Sequence, residues 1–151
     1  MPTQADNSLV RVQSIKVYDD EGHQKFEANG RNGERFGGTG GKYATPRVQN
    51  YGMTAHPPEG SLGITGNLGG NPTNAMITNM EHPDHRPKNL EEGEVKVYDM
   101  WDHYMYLKED EWYTKVGPCE IWYKDEGGAI KIKVGGAIID MSEGGTIHLN
   151  P

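Results

Sequence analysis

The sequence predicts an all-β protein in two parts, a small OB-like barrel over residues 9–88 and a ribbon of short strands over residues 89–151. Three observations carry this. Apolar and polar residues alternate over short runs, the period of half-buried strands. Gly, Pro, Asn and Asp clusters separate the runs, and no convincing helical period intervenes. Core residues are scarce: Leu, Ile, Val and Phe make 25 of 151 positions, at a formal net charge of −7. Such a composition borders on that of disordered chains. The three Trp, the eight Tyr and the ordered alternation argue instead for a core completed between copies of the chain.

Residues 1–8 are polar and aperiodic and read as a flexible arm. In residues 9–18, Val10, Val12 and Val17 are separated by Arg11, Gln13 and Lys16. A turn at 19–22 and a return over 23–28 make a hairpin. Residues 29–42 are rich in glycine and suggest a phosphate-binding loop. Yet Phe36 stands where the P-loop pattern needs its first glycine, and Tyr43 follows Gly41-Lys42 where it needs Ser or Thr. A plain loop is expected there. Residues 43–53, 61–67 and 74–80 are further short strand candidates, broken by Pro57-Pro58-Glu59-Gly60 and Gly69-Gly70-Asn71-Pro72. Five short strands in a small domain suggest the OB type of barrel.

Residues 82–88, His-Pro-Asp-His-Arg-Pro-Lys, mark the boundary, because two prolines forbid regular pairing. His82, Asp84 and His85 resemble a metal cluster but lack a third nearby ligand of the usual kind, and a surface loop is expected. In the second part Val95, Val97 and Asp99 alternate with Lys96, Tyr98 and Met100. Strands are expected at 104–107, 112–116 and 121–124, then over 129–134, 137–143 and 146–150 between the pairs Gly127/Gly128, Gly135/Gly136 and Gly144/Gly145. Glycine pairs suit tight turns because glycine reaches positive φ at no steric cost. Ile130, Ile132 and Val134 share one face and Lys131 and Lys133 the other. The last strands carry too few large apolar side chains to fold alone, so Val95, Val97, Ile130, Ile132, Val134, Ile139, Met141, Ile147 and Leu149 are expected to meet the same residues of further copies.

Charge and cysteine usage narrow the function. The lone Cys119 excludes an intrachain disulfide framework and reads as a buried or half-buried small side chain. No apolar run is long enough to span a membrane, and no charged-then-apolar leader opens the chain. The whole net negative charge falls in residues 89–151, a surface that repels phosphates, so no nucleic acid partner is expected there. No metalloprotease, hydrolase or nucleotide motif occurs, and acidic pairs such as Asp125/Glu126 fit charged turns. An OB-type module for nucleic acid or oligosaccharide is the alternative, with Arg31, Arg35, Lys42 and Arg47 near Phe36 and Tyr43 as a basic, stacking patch.

Residues 53–61 (Met-Thr-Ala-His-Pro-Pro-Glu-Gly-Ser), Asp84-His85-Arg86-Pro87, and residues 90–99 (Leu-Glu-Glu-Gly-Glu-Val-Lys-Val-Tyr-Asp) resemble the Mu-like phage baseplate assembly protein V family. The resemblance implies an OB-like barrel followed by an intertwined trimeric β-helix or β-prism. It implies a homotrimeric, non-enzymatic central spike in the virion tail baseplate, made in the host cytoplasm. Its barrels would dock on baseplate hub proteins, and its needle would breach the host outer membrane on sheath contraction. Many spikes of the family end in a His-x-His pair whose three copies hold an iron ion. Here Thr146-Ile147-His148-Leu149-Asn150-Pro151 has one histidine. Three copies of His148 could offer three nitrogens to an iron ion at the trimer tip, but alternation sets His148 opposite Ile147 and Leu149. With the apolar face inside, His148 points outward and no cofactor is expected.

Overall fold

Alternating β-branched and aromatic residues build thirteen strands and no helix among the described residues. The computed structural model describes residues 9–20, 22–37, 44–67, 75–125, 127–141 and 147–150, without the side chains of 20 and 148–150. The expected arm at 1–8 and the turn pair Gly144/Gly145 lie outside the described residues. The chain divides into two units, Met1–Asp84 and His85–Pro151, each with its own antiparallel sheet.

The first unit contains β1 (Leu9–Asp20), β2 (His23–Gly30), β3 (Arg35–Phe36), β4 (Thr45–Pro46), β5 (Leu62–Asn67) and β6 (Ala75–Glu81). The order is β3-β2-β1-β5-β6, with β4 also on β2. The long β1 serves two partners, so that Val12 lies opposite both Gly30 and Gly63. A bulge between Ser14 and Lys16 bends it. Immediately after β4 the chain touches both ends of the sheet. Arg47 N donates to Gln24 O at 2.8 Å and Val48 N to Ile77 O at 3.0 Å, and Arg47 pairs in parallel with Ile77 of β6. These bonds join the β2 side to the β6 side and close the sheet into a ring.

Inside that ring Val12, Phe26, Ala28 and Ile77 are buried against one another, and Val10, Val17, Phe36 and Met80 pack around them. Gly63 lets β6 come close: a Cβ there would collide with Met80 Sδ and sit 3.3 Å from Thr78 O. Two expectations are corrected. The strand expected over 43–53 shrinks to Thr45–Pro46, because Pro46 has no N–H to donate and the chain turns at Tyr51-Gly52. The loop expected over 29–42 contains β3, which pairs with Ala28 and Asn29 across a turn held by Glu34, whose carboxylate accepts the Asn32 amide at 2.9 Å.

The second unit is a meander: β7 (Val95–Tyr98), β8 (Tyr104–Leu107), β9 (Glu111–Val116), β10 (Cys119–Lys124), β11 (Ala129–Val134), β12 (Ala137–Met141) and β13 (Ile147–Asn150), each beside the next. Its turns place Gly117, Gly127, Gly128 and Gly135 at positive φ. No described residue of this unit is buried.

Candidate functional site

Residues directly opposite on neighbouring strands share a face of the sheet, so the register sorts the whole meander. One cross-strand row reads Val97, Met105, Thr114, Ile121, Ile132, Ile139, Leu149. The row beside it on the same face reads Val95, Leu107, Trp112, Tyr123, Ile130, Met141, Ile147. A shorter third row reads Val116, Cys119, Val134, Ala137. All nine positions expected to meet other copies fall in these three rows, on one face.

Among the described residues of the unit nothing covers that face. Val95, Val97, Leu107, Trp112, Val116, Tyr123, Val134, Ile139 and Ile147 are exposed, Ile147 by as much as 61%. Trp112 and Tyr123 stack at 5.0 Å and widen the face at the β9–β10 level. Cys119 corrects the expectation of a covered small side chain, since it is exposed. The reason is its place in the third row, where only another molecule can cover it.

The opposite face is already satisfied. Its rows run Lys96, Tyr106, Tyr113, Trp122, Lys131, Asp140, His148 and Tyr98, Tyr104, Lys115, Glu120, Lys133, Ile138, Asn150. Lys131 pairs with Asp140 at 3.3 Å and Lys133 with Glu120 at 3.6 Å. Lys96 Nζ lies 3.5 Å from the centre of the Tyr104 ring. Tyr113 lies beside Trp122 in nearly parallel planes, and its hydroxyl meets that of Tyr104. Burial and that hydrogen bond raise the Tyr113 pKa. Lys115, 2.9 Å from Asp102, pulls that carboxyl below its usual range and is itself held charged to higher pH. One face is thus a solvated network and the other is bare hydrocarbon.

The residues at 90–99 shape the entry to this sheet. Gly93 sits at φ +90°, which glycine adopts freely. Glu94 Oε2 accepts the Glu91 amide at 2.9 Å and the Tyr106 hydroxyl. The Tyr106 bond and then the Glu91 amide lower the Glu94 pKa, while Glu94 pushes Tyr106 up to about 12. Asp99 Oδ1 accepts the amides of Trp101 at 2.8 Å and His103 at 3.0 Å, and its Oδ2 lies 2.8 Å from His103 Nδ1. Desolvation opposes these bonds, yet the Asp99 pKa still falls. Glu94 holds the turn that enters β7, and Asp99 the turn between β7 and β8. In the first unit the stretch at 53–61 plays a similar part. Ser61 is fully buried; its hydroxyl donates to Pro58 O at 2.6 Å, and its carbonyl accepts the Ser14 amide at 2.8 Å.

Among the described residues the alternative binding patch is not brought together. Arg47 Nη1 is engaged by Gln24 Oε1 at 2.8 Å and Ala55 O at 2.6 Å, and burial lowers its pKa. Phe36 packs on the core rather than standing out as a stacking platform. Arg31 and Arg35 flank the β2–β3 turn, and Lys42 and Tyr43 lie outside the described residues. Among the described residues no three of His, Cys, Asp and Glu come together to hold a metal; His82 Nδ1 accepts the Asp84 amide at 3.2 Å. Position 148 is paired with Asp140 in the register, and its side chain lies outside the described ones.

Residues 11–84 match the family described as Bacteriophage Mu Gp45, N-terminal. No curated protein matches the chain.

Proposed function

We propose, from the premise that the chain belongs through residues 11–84 to the Bacteriophage Mu Gp45 family of phage baseplate proteins, that three copies join their apolar sheet faces into a central spike. The protein is a structural component of the virion tail baseplate. The observation that carries the spike reading is the bare face: three contiguous, largely apolar rows, backed by an opposite face with ion pairs and ring contacts. A soluble protein rarely leaves so large an apolar area open. Covering it contributes on the order of 1 kcal/mol for each half-exposed side chain. Strands of four to six residues span roughly 13–20 Å, a width suited to one side of a triangular β-prism.

In such a prism the cross-strand rows run along the axis, and so do the backbone hydrogen bonds. The object is therefore stiff lengthwise, as a needle breaching the host outer membrane under sheath contraction must be. Its outer surface would be the lysine–carboxylate face, made net acidic by the carboxylates clustered in the segments between strands, and without affinity for nucleic acid. The first unit supplies the docking module. Its ring closure through Arg47 and Ile77 supports an OB-like barrel over residues 9–88 that seats on the hub proteins. The role is mechanical rather than enzymatic and calls for no cofactor.

The test is a virion carrying Ile130→Asp, examined by electron microscopy and plaque assay. A baseplate lacking its central spike, with plaque counts down by orders of magnitude, is expected. Infective virions with a normal spike would refute the reading.

A further inference from the structure

Thr114 interrupts the most central apolar row. Its neighbours across the strands are Met105 and Ile121, and its same-face neighbours along β9 are Trp112 and Val116. Beyond Met105 and Ile121 the row continues as Val97 and Ile132. On this face only Trp112, Tyr123 and Cys119 among the described residues offer another N–H, O–H or S–H group, and Trp112 and Tyr123 stack on each other. The thiol of Cys119 is a weak hydrogen-bonding group that packs as a small apolar side chain. A threonine hydroxyl is one donor and two acceptors, and that of Thr114 makes no hydrogen bond within the chain among the described residues.

In the lone chain this costs nothing, since Thr114 is half-buried and water reaches it. Once the face is covered, an unpaired hydroxyl in hydrocarbon loses its solvation without return. Among the described residues no side chain of its own sheet bonds to it. What can satisfy it is whatever stands opposite, and in a symmetric trimer that is the same residue of the other two copies.

We infer that the three Thr114 hydroxyls form a single polar layer on the spike axis, closed around one ordered water molecule. This rests on the trimeric reading above. Three hydroxyls on a threefold axis close a ring of direct bonds only at about 2.8 Å from one another; sheets pack about 10 Å apart, so short threonine side chains on facing sheets stop short of that, and a shared water reaches all three with the two to four partners that a buried water needs. The layer also fixes axial alignment. Sliding one chain by a strand sets its hydroxyl against Met105 or Ile121 of a neighbour and leaves all three unpaired, whereas the apolar rows alone tolerate such a shift. A single polar position in an apolar seam sets register in coiled coils on the same physical ground.

The experiment uses the full chain, with solution mass measured first by light scattering and a crystal structure of the same material solved next. A single-chain mass would overturn the trimer and this layer with it. At a tripled mass, one water on the axis within hydrogen-bond reach of all three Thr114 Oγ1 atoms is the expected result. Thr114 side chains turned to their own backbone, or an axis with no water at that level, would overturn the layer and leave the trimer standing. In Thr114→Val the tripled mass should persist and the axial water should vanish; a water retained at that level would show that Thr114 does not hold it.

Discussion

The two units solve the same shortage of apolar residues in opposite ways. The first gathers Val12, Phe26, Ala28 and Ile77 at no more than 2% exposure each, and it does so by curling. A bulge in β1, a glycine at 63 and the parallel contact at Arg47 bring every strand around one small core. The second stays open and spreads a larger set of apolar side chains over one face, burying none of them. The difference teaches that alternation specifies a face but not what covers it. Curvature decides: a sheet that bends can cover itself, whereas a long meander of four- to six-residue strands leaves its apolar face open.

The sharpest break of that comparison is Ile132→Asp. A carboxylate in the middle of the central row would be buried in each of three chains, at a cost of several kcal/mol apiece. Loss of assembly is expected by light scattering, with the first unit still folded by near-UV circular dichroism. Phe26→Ala inverts the experiment. It empties the self-contained core and should cost about 3–5 kcal/mol in a denaturant transition assigned to the first unit, with assembly of the second unchanged. A common loss of both transitions from either variant would erase the distinction between the units.

Much of this was legible in the sequence. The alternation of residues 129–134 gave Ile130, Ile132 and Val134 a common face, and the register extends that face over all nine expected positions. Other features were not legible, for physical reasons. Closure of the first sheet depends on a parallel pairing between Arg47 and Ile77, thirty residues apart, and no periodicity records a pairing of one residue each. The strand at Arg35–Phe36 is too short to show alternation and hides among glycines. The acids of residues 90–99 looked like charge and are turn chemistry; the signal that could have found them was Gly93, followed at once by a carboxylate able to reach back to the Glu91 amide. Cys119 was misjudged because alternation assigns a residue to a face and does not say whether the chain covers that face; here Cys119 is exposed.

Smaller effects sharpen the picture. Gly63→Ala should destabilise the first unit by about 1–3 kcal/mol, since the added methyl meets Met80 and the Thr78 carbonyl; a thermal melt reads this, and an unchanged midpoint would contradict the close approach of β6. Smallest is the acid response of the β7 entry turn. The Glu94 carboxyl is lowered from its usual 4.5 by the Tyr106 hydroxyl and the Glu91 amide. Its contribution is therefore complete above pH 4.5 and is lost as pH falls through the lowered value. Glu94→Gln should lower the stability of the second unit slightly at neutral pH and flatten its profile below pH 4.5, so that the variant and the parent converge in acid.

The most direct measurement is the solution mass of the whole chain over a wide range of protein concentration. Three times 16.8 kDa, held down to the lowest concentration, is the predicted result, because the bare face of the meander has no other cover. A stable particle of 16.8 kDa would mean that those isoleucines and valines remain in water, and the spike would have no core.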